Sequence, residues 1–150
     1  QALHGQAGKV PAHPQRNPPS MNATLALITV LTVLLMAATV FMVGRARGKY
    51  GVKAPATTGH EGFERAFRVQ MNTQEAALMF LPSLWVAASF GVAWVSAALG
   101  ALWLVGRVWY AVAYSNPAGN RGPGFLIGMV ALLGLILQAL WGIAWTFVLA

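Results

Sequence analysis

The chain contains no cysteine and only three acidic residues among its 150 positions. The first absence excludes a disulfide framework, a thiolate metal site and a cysteine nucleophile. Any thiol chemistry has to use a thiol carried by a substrate. The histidines, His4, His13 and His60, are scattered without metal-ligand spacing, and no metal is expected. Charged residues make up 9% of the chain, where a soluble domain has about a quarter. That deficit excludes an ordinary water-soluble globule.

Apolar residues fill the space instead, at 57% of the sequence. The composition is that of a membrane protein. The length accommodates one domain and about four spans of roughly 20 residues each. Ten Lys and Arg give a net charge of +7. In a soluble protein such an excess would suggest nucleic acid. Among apolar spans it is better explained by basic loops on the cytoplasmic side, with anionic ligands as a second use.

Residues 1–20 are polar and proline-rich, and are expected to form a disordered tail or an upstream extension outside the fold. A four-span membrane domain is expected over 21–150, with spans at about 22–43, 63–99, 101–114 and 125–149. The basic segment "GRARGKYGVKAPATTGHEG" reads as the first loop, an uncharged turn near Gly100 as the second, and "SNPAGNRGPG" as the third. Pro82 should kink the second span. Arg45, Arg47, Lys49, Lys53 and Arg121 put loops one and three in the cytoplasm by the positive-inside rule, while Lys9 and Arg16 in the tail pull weakly the other way. Trp94, Trp103, Trp141 and Trp145 should then form an aromatic belt at the opposite interface.

One stretch departs from the apolar pattern. "FERAFRVQMNTQEAALMFLPSLW" begins like a water-exposed helix and ends like a membrane span. At about 100° per residue, with Arg65 at zero, Asn72 falls near about −20°, Arg68 near about −60° and Glu75 near about −80°. The four share one narrow face. In the third span Trp103, Arg107, Tyr110 and Tyr114 share another. Polar groups at membrane depth are costly, so they pair inside the bundle or bind something. On the structural reading, Glu75 pairs with Arg107 or Arg68 and pins two helices. On the functional reading, arginines take carboxylates, a glutamate takes an ammonium, and Asn72 and Gln70 orient an amide. Together they suit a small zwitterionic peptide at the rim of the bilayer, beside apolar spans that admit a lipophilic second substrate.

The E-R-x-x-R-x-Q-x-N-x-x-E pattern in this stretch resembles the membrane-associated proteins in eicosanoid and glutathione metabolism, the MAPEG family. "GRVWYAVAYSNPAGNRGPG" agrees with it, giving R-x-x-Y-x-x-x-Y and an arginine seven residues on. The "RGPGF" ending resembles the bacterial branch, and the resemblance covers all four spans. It implies an all-α integral membrane four-helix bundle, assembled as a homotrimer, with glutathione as co-substrate between subunits. It implies that Arg68, Asn72, Glu75 and Tyr110 hold the glutathione backbone, and that Arg47 and Gln70 lie around its carboxylate ends. Tyr114 would share that pocket, Arg121 would sit beside the sulfur as the catalytic residue, and Arg65 and Arg107 would be secondary or structural. Ala76 and Gly48 stand where leukotriene-forming members have a tyrosine and an arginine.

The function implied is therefore a detoxifying glutathione transferase or peroxidase, acting on lipophilic electrophiles or lipid hydroperoxides. Its place would be the bacterial inner membrane, with the endoplasmic reticulum as the alternative. The competing readings are a non-catalytic lipid-binding protein of the same fold and a purely structural membrane protein.

Overall fold

The computed structural model describes residues 19–149, which form four α-helices and no strand. They are α1 (Pro19–Tyr50), α2 (Glu61–Phe90), α3 (Ala93–Ser115) and α4 (Gly122–Val148). Apart from its last two residues, the expected N-terminal tail lies outside the described residues. Each of α2 and α3 packs against every other helix, whereas α1 and α4 do not touch. The bundle is thus a central α2–α3 pair flanked by α1 and α4.

The main core is built from small residues and a few large ones. Ala77, Ala87, Ala97, Ala131 and Ala139 let the helices approach, and Leu25, Phe80, Leu84, Trp103 and Leu135 fill the space between them. Phe80 of α2 and Trp103 of α3 stack with ring centroids 3.8 Å apart. Trp103 therefore belongs to the core and not to an interfacial belt, because its face of α3 points at α2. Trp94, Trp141 and Trp145 are exposed.

The outward faces carry Leu27, Leu34, Phe41, Leu78, Val112, Leu137 and Phe147, all exposed. In water such a surface would drive aggregation. In hydrocarbon it is the solvated side. By length and composition α1, α3 and α4 can each cross a bilayer. Only α2 falls short of that measure, because its first half holds Glu61, Glu64, Arg65 and Arg68. Together the four helices make this an integral membrane protein.

Hydroxyl groups on the spans are satisfied locally, as a hydrocarbon surrounding requires. Thr32 donates to the Ile28 carbonyl at 2.8 Å and Thr39 to that of Met36 at 2.7 Å.

Two helix boundaries differ from the sequence expectation. First, α1 continues through the basic segment to Tyr50, so Arg45, Arg47 and Lys49 are helical. No proline falls between Gly44 and Lys49, and cations favour a helix C-terminus. Second, the α2–α3 turn lies at Gly91–Val92 and not near Gly100. Gly100 is a contact position inside α3, where a Cβ would stand 2.9 Å from Leu84 Cδ1. Helix α2 runs through Pro82, which lies inside the span as the sequence places it.

The two-residue turn is held by α4. Gln138 Nε2 lies 3.2 Å from the Ala87 carbonyl, 3.0 Å from that of Val92 and 2.7 Å from Ser96 Oγ. The first two are carbonyls at the end of α2 and the start of α3. Gly142 passes so close to the turn that a Cβ would come within 2.1 Å of the Phe90 carbonyl oxygen.

Helices α3 and α4 meet backbone to backbone at the other end. A Cβ on Gly124 would lie 2.6 Å from the Tyr110 nitrogen, and one on Gly106 would lie 2.8 Å from the Gly128 nitrogen. Small residues at such crossings let membrane helices approach closely.

Two substitutions test these contacts by thermal unfolding in detergent, followed by tryptophan fluorescence. Gln138→Leu removes the donor from the turn and should cost about 1–3 kcal/mol. Gly124→Ala forces α3 and α4 apart and should cost about 1–3 kcal/mol. Gly44→Ala, where a Cβ meets nothing within 4 Å, should leave the midpoint unchanged or raised. Equal midpoints for Gly124→Ala and Gly44→Ala would contradict the close crossing.

Candidate functional site

The polar stripe of α2 faces two adjoining cavities at the end of the bundle where α1 and α3 finish. Arg68, Asn72 and Glu75 line one of about 280 Å³, walled by Thr57 and Thr58 of the first loop. Arg65 and Arg68 line a second of about 450 Å³, together with Tyr114 and Arg121. Arg68 and Glu64 border both. The helical spacing therefore delivers these side chains to one region, while Val69, Thr73 and Ala77, further round the helix, are buried.

Tyr110 and Tyr114 bring α3 to the same region. Asn72 Nδ2 donates to the Tyr110 hydroxyl at 2.6 Å, which locks α2 to α3 at this depth. The two tyrosine rings are 5.5 Å apart and tilted. Arg121, the residue before α4, sets its guanidinium over the Tyr114 ring at 4.2 Å. It also borders a third space, of about 310 Å³, beside Tyr110 and Phe125. Arg121 is exposed and makes no ion pair among the described residues. The local cause is the "NRGPG" segment. Asn120 Oδ1 accepts from the Gly122 N–H at 3.0 Å, and proline follows at the start of α4. Proline at a helix start loses no hydrogen bond.

Arg107 lies deeper and behaves differently. It is buried, reaches Thr73 Oγ1 at 3.4 Å and sits 4.4 Å from the Tyr110 ring centroid. It supports Tyr110 from behind and lines none of these cavities. Glu75 is exposed and pairs with neither Arg107 nor Arg68. Among the described residues the ion pair is Arg65 with Glu61, one turn apart on α2. The structural reading of Glu75 as a helix pin therefore does not hold within this chain.

Two expected site residues stand apart from this cluster. The Arg47 guanidinium donates to the carbonyls of Ala56 at 2.9 Å and Val52 at 3.4 Å, and lies over the Phe63 ring. It ties the first loop to α1. Gln70 is half-buried on α2 and lines none of these cavities.

The sequence also left out residues that shape the site. Glu64 Oε1 accepts from the Gly59 N–H at 3.0 Å, which fastens the loop over the stripe. His60 caps α2 by accepting from the Gly62 N–H at 3.1 Å, and stacks on Tyr50 at 3.9 Å. The capping histidine carries no usual N-cap signature. Glu64 could have been found as one turn before Arg68 on the same helix.

Chemically the end of the bundle offers the guanidinium groups of Arg68 and Arg121, free of ion pairs among the described residues, the exposed carboxylate of Glu75, also outside any ion pair, and two phenol hydroxyls around small cavities. Such a set binds a compact ligand with anionic and cationic ends, and stabilises negative charge near Arg121.

Comparisons with known proteins agree with this layout. A sequence profile of the MAPEG family matches residues 25–141. The chain is 48% identical over 120 residues to an uncharacterized protein of Synechocystis, covering 80% of this chain and 88% of that one. It is 36% identical over 123 residues to human microsomal glutathione S-transferase 2, covering 82% and 84%. Rat leukotriene C4 synthase is 37% identical over 99 residues, or 66% of each chain. The profile match spans every helix and includes the stripe of α2, the tyrosines of α3 and Arg121, so this chain belongs to the MAPEG family.

Proposed function

We propose that the protein is a membrane glutathione transferase that ionises the glutathione thiol for attack on a lipophilic electrophile. One observation carries this reading: the α2 stripe, the α3 tyrosines and an unpaired Arg121 converge at one end of the bundle. The family's named relatives, a glutathione S-transferase and a leukotriene C4 synthase, support the same class.

On this reading the guanidinium groups of Arg65 and Arg68 take the glutathione carboxylates and Glu75 takes its ammonium. Asn72 and Tyr110 orient the peptide, with Tyr114 beside them. Arg121 faces the sulfur. A free thiol has a pKa near about 8.5 and is mostly protonated at neutral pH. A neighbouring guanidinium favours the thiolate, and each unit of lowering corresponds to roughly 1.4 kcal/mol. The proton leaves to water, so no general base is required. The thiolate sulfur then forms a bond to the electrophilic carbon of a substrate arriving from the bilayer, and the leaving group departs with the electron pair. With a lipid hydroperoxide, sulfur would attack the outer oxygen and break the O–O bond, giving glutathione sulfenic acid and an alkoxide that takes a proton from water; a second glutathione would then convert the sulfenic acid to the disulfide and water. Arg47 and Gln70, which stand apart in this chain, would complete the carboxylate contacts across the interface of a homotrimer.

The basic end of the bundle also supports an orientation. Arg45, Arg47, Lys49, Lys53 and Arg121 lie at that end, and the Gly91–Val92 turn at the other carries no charge. On this reading the site faces the cytoplasm, and the resemblance to the bacterial branch supports a bacterial inner membrane.

Mixing the detergent-purified protein with glutathione near neutral pH should raise the thiolate ultraviolet band to saturation. Arg121→Leu should abolish that band and lower the conjugation rate about 10- to 1000-fold, with glutathione affinity changed little. Equal loss of rate and affinity would remove Arg121 from the sulfur. Arg68→Ala should do the reverse, weakening glutathione binding roughly 10- to 100-fold by calorimetry while the bound thiol still ionises.

A further inference from the structure

Arg45, Lys49 and Lys53 remain outside the site just described. Arg45 and Lys49 lie four residues apart on α1, so they project from one helix face. Like charges at that spacing repel and destabilise a helix. Neither makes an ion pair among the described residues, and Lys49 only approaches the Tyr50 ring, at 5.0 Å. Every other cation near this end with a described contact is engaged elsewhere. Arg47 holds the loop carbonyls, Arg65 pairs with Glu61, and Arg121 rests on Tyr114.

Arg45 and Lys49 border a groove of about 610 Å³, separate from the two cavities of the α2 stripe. No acidic residue lines it. Its inner wall is Met42, Ala46 and Ala66, and Tyr50 stands at its edge. Met42 lies about one turn closer to the bilayer centre than Arg45. Gly48 adds open space, since a Cβ there would meet nothing within 4 Å. The groove therefore has cations at the rim and apolar surface beneath them, at the end of a helix that spans the membrane.

We propose that this groove holds the headgroup of an anionic phospholipid. The phosphate would lie between the Arg45 guanidinium and the Lys49 ammonium, cancelling their repulsion through charge-assisted hydrogen bonds. The first acyl segments would run down over Met42. The occupant has to be anionic, because a zwitterionic headgroup brings its own cation to the same two side chains. It has to be a lipid, because the apolar wall adds nothing to the binding of a free ion.

The test uses the full chain in neutral detergent. The protein is incubated with equal amounts of phosphatidylglycerol and phosphatidylcholine of matched acyl chains, and the lipid retained after gel filtration is quantified by mass spectrometry. The native protein should favour phosphatidylglycerol roughly tenfold or more. Arg45→Gln/Lys49→Gln should bring the ratio near parity, and either single variant should lower it if the pair cannot be purified. Arg45→Lys/Lys49→Arg should retain it. Lys53→Gln, a cation outside the groove, should also retain it, and glutathione binding should survive in every variant. Absence of a preference in the native protein, or its persistence in Arg45→Gln/Lys49→Gln, would overturn the site. Full displacement of the lipid by millimolar inorganic phosphate would overturn the lipid as occupant.

Discussion

The charged end of the bundle is organised by how closely α3 and α4 approach. Gly124 lies against the backbone of Tyr110, and Gly106 against that of Gly128, with no room for a side chain between. Because α4 starts at Gly122, this crossing fixes where the preceding residue sits. Arg121 is delivered to the face of Tyr114 by that geometry, and Tyr114 lies one turn beyond Tyr110 on α3. A wider crossing would carry Arg121 away from both tyrosines while leaving every helix intact.

From that crossing the polar groups connect inward in a short chain. Tyr110 accepts from Asn72 of α2, and its ring lies against Arg107, which reaches back to Thr73. A buried guanidinium is costly in a membrane interior. Its place here is made by one hydroxyl and one aromatic face, and it supports the tyrosine that the site uses. Below this layer the bundle returns to alanine, leucine and the Phe80–Trp103 stack. The polar chemistry thus occupies one end, and the apolar core carries no comparable charge.

Much of this was legible in the sequence because membranes simplify the problem. Long uncharged runs specify helices, and a polar stripe in such a run is conspicuous. Arg65, Arg68, Asn72 and Glu75 were therefore identifiable as one face, and Tyr110, Tyr114 and Arg121 as a second block. Helix ends were harder to place. Gly91 and Gly100 look alike in sequence, and only packing against Leu84 makes one a crossing point and the other a turn. Trp103 looked like a belt residue because composition cannot say which face meets α2. Arg47 reads as one more basic loop residue, yet its Nη1 donates to carbonyls of the loop after α1. No local pattern encodes that partnership.

The hydrogen bonds of Gln138 have a consequence for the hairpin of α2 and α3. They join the α2–α3 turn to α4, which is synthesised after both helices of the hairpin. The Ala87 and Val92 carbonyls already accept the N–H groups of Gly91 and Ser96, so the amide of Gln138 adds a second partner to each. What α4 contributes is a tie across the turn. One nitrogen bridges the end of α2 and the start of α3, and so restrains the angle between them.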